Sequence, residues 1–136
     1  LPQLNQGTGV ENFISNYLDH LLFINKDISG KYKEGFRFTF RSSVEHYYPQ
    51  NPRENLLKPL DKSDVDKFGN LCLISDSLNS SLSNLHPKDK REILKNSKSN
   101  ESIKQKIMLS YEPWEVGQID EHGKEMTKIL LQLFML

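Results

Sequence analysis

The run Ser43-Val44-Glu45-His46-Tyr47-Tyr48-Pro49-Gln50 is resumed by Phe68-Gly69-Asn70-Leu71-Cys72-Leu73 and then by Leu78-Asn79-Ser80-Ser81-Leu82-Ser83-Asn84. These three pieces decide the fold and its chemistry. Val44 to Tyr48 reads as a strand stopped by Pro49 and Pro52, because proline cannot donate to a ladder. Leu71 to Ile74 is a short apolar run behind Gly69 and reads as a second strand. Asp76 can cap a helix that runs to about Asn84. An acid beside a histidine at a strand end is thus followed by an asparagine-bearing turn, a strand and an asparagine-bearing helix. With Lys90 and Arg91 beyond, this order assembles a general base, oxygen donors and cations.

Outward from this core, Phe36, Phe38 and Phe40 alternate with Arg37, Thr39 and Arg41, the period-2 pattern of a half-buried strand. Val10 to Phe23 carries apolar residues at helical spacing. Pro49 to Lys67 reads as a loop-rich insertion with one short helix. Pro87 suits the first turn of a helix reaching about Lys95. Glu101 to Leu109 reads as helical, and Trp114 to Leu136 as a long helix with Gly123 its weak point. Pro2 to Gly9 has no periodicity and reads as a linker or tail. The expectation is an α+β fold: residues 1–9 a tail and residues 10–136 a single domain. Its core spans residues 36–95, with flanking helices at 10–25 and 101–136.

The chain has 136 residues, 18 basic and 18 acidic, for a formal net charge of zero. That excludes a polybasic binder, so any nucleic-acid contact must come from a local basic face. Two such stretches exist. Lys88 to Lys106 holds seven cations against three acids, and Lys31, Lys33, Arg37 and Arg41 form a second cluster. A single cysteine, Cys72, excludes an internal disulfide and any multi-cysteine zinc site. No apolar run approaches the length of a membrane span. No G-x-x-x-x-G-K-[ST] phosphate loop occurs. The missing initiator Met and the apolar end Phe134-Met135-Leu136 lead to the expectation of a module cut from a larger cytoplasmic protein.

The order Val44-Glu45-His46-Tyr47-Tyr48-Pro49-Gln50, Gly69-Asn70-Leu71-Cys72-Leu73, Asn79 through Asn84 and Lys90 resembles the His-Me finger (HNH) nucleases. More closely, it resembles the C-terminal domain of GmrSD-like modification-dependent restriction endonucleases. The Tyr17-Leu18-Asp19 helix and the Trp114-bearing C-terminal segment extend the resemblance across most of residues 10–136. It implies a small ββα-metal core embedded among helices, and metal-assisted hydrolysis of DNA phosphodiesters. By that resemblance His46 is the general base, since a neutral imidazole accepts a proton from water near pH 7. Glu45 and Asn79 are the metal ligands, and their oxygens favour Mg²⁺ or Mn²⁺ over softer metals. Asn70, grouped with His46 in the catalytic set, ties the loop after the first strand. Lys90, Arg91 and Asn84 hold phosphate. The implied setting is the effector half of a bacterial defence protein: DNA, possibly modified, is the substrate, and an N-terminal sensing domain precedes this one.

The residues also admit plainer readings. The same scaffold could be catalytically silent and serve as a nucleic-acid-binding or protein-interaction module. The same machinery could cleave RNA. His86 could be a third ligand. His20 and His122 read as surface residues beside acids, Cys72 as core, and Tyr47 and Tyr48 as strand packing rather than base stacking.

Overall fold

The computed structural model describes residues 5–9, 12–53 and 57–132. Among these, the sheet is a two-stranded antiparallel ribbon of β1 (Ser43–His46) and β2 (Leu71–Ile74), with Glu45 opposite Cys72 and His46 opposite Leu71. The helices are α1 (Asn12–Ile24), α2 (Lys62–Val65), α3 (Asp76–Leu82), α4 (Pro87–Lys95), α5 (Ile103–Met108) and α6 (Val116–Gln132). The mixed α+β class expected from the sequence is the class observed. The expected helix start at Val10 and the apolar end Leu133 to Leu136 lie outside the described residues.

All four residues of β2 are buried. Leu71 joins a core with Leu18 and Leu22 of α1, Ile103 and Ile107 of α5, and Met126 of α6. Cys72 and Ile74 join a second core with Tyr47, Leu82, Leu94, Met108 and Trp114. A strand covered on both faces reads as an unbroken apolar run, which is why Leu-Cys-Leu-Ile shows no alternation. Tyr47 and Tyr48 are 4% exposed and pack into the second core.

Three local expectations are corrected. Phe36 to Phe40 forms no strand; it makes a single parallel bridge, Phe36 to Asn100, and Phe40 is 88% exposed. Phe36 and Phe38 pack edge-on against each other and on Phe23 of α1. Ser75, not Asp76, caps α3, its Oγ accepting from the Leu78 amide. Residues 5–9 are docked rather than loose: Asn5 Oδ1 accepts from the Phe68 amide, and the Gly7 amide donates to the Asp66 carbonyl.

Gly123 is not a weakness but a seat. α6 crosses the 3-10 turn Phe68–Asn70 so closely that a Cβ on Gly69 would lie 1.9 Å from the Ile119 carbonyl oxygen. A Cβ on Gly123 would lie 3.3 Å from Gly69. This glycine contact lets the turn that carries Asn70 lie against the helix.

Candidate functional site

β1 ends at His46, and the chain turns toward Pro49. Neighbouring strand residues point to opposite faces, so Glu45 and His46 can share one space only where the strand ends. They do so here. A polar cleft of about 160 Å³ is lined by Glu45, His46, Pro49, Asn79, Ser83 and Asn84, among others. Glu45, His46, Asn79 and Asn84 therefore converge, although they come from a strand, a helix and the turn after it.

His46 is 6% exposed, and its Nε2 lies 3.0 Å from Asp66 Oδ1. Lys62 Nζ donates to Asp66 Oδ2 at 2.6 Å. Burial alone would raise the Asp66 carboxyl, but the hydrogen bonds and charges of Lys62 and His46 prevail and hold it below its ordinary value. An ionised carboxylate only accepts, so Nε2 carries the proton and Nδ1 is left to take one. Burial pulls the His46 pKa below its ordinary value, and the pull upward from Asp66 does not overcome it. The ring is neutral near pH 7 and held in one tautomer.

Beside it, Lys90 Nζ donates to Glu45 Oε1 at 2.9 Å and to the His46 carbonyl at 2.7 Å. Burial pushes the Glu45 carboxyl up to about 6 against the pull of Lys90. Glu45 Oε2 is buried with no hydrogen-bond partner. A buried carboxylate oxygen without a donor is costly, and Glu45 lines the polar cleft, which makes this oxygen a candidate donor to a species that enters there. Mg²⁺ and Mn²⁺ take oxygen donors, and Mg²⁺ keeps several waters. Glu45 Oε2 and the Asn79 side-chain oxygen fit that demand. Among the described residues no group of three or more His, Cys, Asp or Glu could hold a metal, so an ion here would rely on these two and on water.

Asn70 does not line the cleft. Its Oδ1 accepts from the Tyr48 amide at 2.8 Å and from Trp114 Nε1 at 2.9 Å. Its Nδ2 donates to the Tyr48 carbonyl at 3.0 Å and to the Val65 carbonyl at 2.9 Å. All four hydrogen-bonding positions of the amide are filled. Asn70 is a positioning residue: it fixes the turn after β1, the end of α2 and the entrance to α6 relative to one another.

Other sequence expectations are corrected by burial. Lys90 has no exposed surface and is spent on Glu45, so it cannot meet a phosphate. Arg91 lies away from the cleft, donating to the Leu109 carbonyl and pairing with Glu112. His86 caps α4, its Nδ1 accepting from the Lys88 amide, and lines a different cavity from Glu45 and Asn79. His122 is fully buried, packed edge-on to Tyr111 and Trp114 rather than at the surface. Asp66 was missed by sequence reasoning. It lies in the loop-rich stretch, and no spacing ties it to a histidine twenty residues earlier.

Fold and cleft together define a small α+β domain with a polar cleft at a strand end, lined by Glu45 and His46. The sequence pattern of the family described as GmrSD restriction endonucleases, C-terminal domain, matches residues 4–129, and the chain belongs to that family. It is a restriction-endonuclease module, which implies DNA as substrate. No significant match was found among curated proteins or among solved structures. None of the described helices is long and apolar enough to cross a membrane.

Proposed function

We propose that this domain is an HNH-type endonuclease that hydrolyses DNA phosphodiesters with His46 as general base. The observation that carries the reading is the meeting, in the lining of one polar cleft, of His46, which is hydrogen-bonded to Asp66, and Glu45, whose Oε2 has no partner. Water is a poor nucleophile near pH 7. His46 Nδ1 accepts its proton, and the charge that builds on the ring is met by Asp66 through Nε2–H. Asp66 is a positioning residue, held by Lys62 and by the turn at Gly7. Glu45 and Asn79 would hold Mg²⁺ or Mn²⁺, which when bound supplies charge stabilisation at the phosphate. Lys90 keeps Glu45 oriented and anchors the His46 backbone. Asn84, exposed and in the cleft lining, would meet the phosphate. The domain acts in the cytoplasm as the effector of a bacterial restriction or phage-defence protein whose N-terminal domain senses the DNA.

Nicking of supercoiled plasmid tests this, with unmodified and modified DNA and with Mg²⁺ or Mn²⁺. The parent protein cuts and stops cutting on chelation. His46→Ala cuts at least ~10²-fold more slowly, the span of a lost general base. Asp66→Asn loses ~10–100-fold, as expected for a partner that orients another group. Metal-dependent cutting that survives His46→Ala sinks the assignment.

A further inference from the structure

The two basic stretches, far apart in sequence, meet in one open groove of about 680 Å³. Lys31 comes from the 3-10 turn Gly30–Tyr32, Arg91 and Lys95 from α4, Lys98 from the loop after it and Lys106 from α5. Glu34 is the one carboxylate among its described lining residues. The groove is built, not a chance juxtaposition. Asn100 Nδ2 donates to the Tyr32 carbonyl at 2.8 Å and to the Glu34 carbonyl at 3.1 Å, fastening the Lys31 turn to the Lys98 loop. The Phe36–Asn100 bridge adds a backbone tie.

The five cations differ in commitment. Arg91 is taken by Glu112 and the Leu109 carbonyl, and Lys106 donates to the Leu94 carbonyl. Lys31, Lys95 and Lys98 are exposed and pair with no carboxylate among the described residues. The whole chain is neutral, so this concentration of like charge does not follow from a basic composition. Its self-repulsion is offset when a polyanion lies in the groove. α4 joins the groove to the cleft: Lys90 reaches Glu45, while Lys95 sits about 7.5 Å further along the helix axis at 1.5 Å per residue.

We propose that this groove binds the phosphate backbone of duplex DNA away from the cleavage point, through Lys31, Lys95 and Lys98. The choice of DNA rests on the cleavage reading; the groove does not. Anisotropy of a labelled 30-base-pair duplex tests it across a salt series, with His46→Ala as parent. Neutralising Lys31→Gln, Lys95→Gln and Lys98→Gln together weakens binding at least ~10-fold at low salt and flattens the log–log salt slope by about two to three, at ~0.9 per phosphate contact. A control triple, Lys58→Gln, Lys124→Gln and Lys128→Gln, stays within about two-fold of the parent, as exposed lysines outside the groove should. The proposal is overturned if the groove triple binds like the parent, if the control loses as much, or if the parent binds duplex RNA but no duplex DNA. Binding is read without cutting, so the two readings fail separately. A groove triple that weakens binding of a protein that never cuts plasmid leaves the groove standing and the nuclease fallen. A cutting protein whose groove triple binds normally leaves the nuclease standing and the groove fallen.

Discussion

Two buried ion pairs are built from the same chemistry and finished differently. At Asp19–Arg41 both carboxylate oxygens are used. Oδ2 accepts from Arg41 at 2.7 Å, and Oδ1 accepts from the Lys104 amide at 2.9 Å and from Ser102 Oγ at 3.3 Å. Arg41 also donates to the Leu73 and Glu101 carbonyls and to Asn16, leaving only Nε unmet. The pair ties α1, β2 and the start of α5 together and borders no described cavity. At Glu45–Lys90 one carboxylate oxygen is used and the other is unpartnered, and Glu45 lines the cleft. A saturated pair is scaffold. A pair left with a spare oxygen at a cleft keeps capacity for something that comes and goes.

The largest effect that bears on this contrast is on stability. Arg41→Met leaves Asp19 buried without its cation and costs ~3–5 kcal/mol in urea unfolding. A loss under ~1 kcal/mol breaks the scaffold reading. Next, replacing the other pair whole, Glu45→Leu with Lys90→Met, stays within ~2 kcal/mol of the parent, since apolar replacement of a complete buried pair is often close to neutral. The same double variant does not nick plasmid; a variant that cuts at parental rate erases the distinction between the pairs.

The smallest effect sharpens the criterion. His122 has both ring nitrogens buried and unpartnered, yet it lines no described cavity, so an unmet atom alone does not make a site. Burial, and then the charge of Lys104, hold its pKa well below 6.5. The folded ring refuses a proton that the unfolded chain accepts below about 6.5, so stability falls as pH drops from there, by up to ~1.4 kcal/mol per unit. His122→Phe keeps the contacts to Tyr111 and Trp114 and removes this slope. Unfolding at pH 6.5 and pH 5 measures it, and equal slopes in both proteins refute the assignment.

Much of the frame was legible because local chemistry dictates it. Pro87 opens α4, the Leu-Cys-Leu-Ile run is buried on both faces, and Pro49 follows the strand that His46 ends. The Phe36 to Phe40 pattern misled because alternation reports an extended backbone, not a partner strand to pair with. Lys90 misled because a lysine in a charge run looks solvated; only the fold reveals that its stem passes through the core to Glu45. Asp66 and the glycine seat at Gly69 and Gly123 were silent for a related reason. Each is defined by an approach between segments that are distant in sequence.

The amide of Asn70 has a consequence for when activity can begin. The last of its four hydrogen bonds comes from Trp114, beyond both strands and α4 in chain order. A nascent chain that has already emitted His46, Asp66 and Asn79 still lacks the indole that locks the turn beside them. The turn after β1 therefore gains its last hydrogen bond from a residue made after His46, Asp66 and Asn79. On the cleavage reading, a chain that stops before Trp114 lacks the hydrogen bond that completes the lock on the turn after its proposed general base.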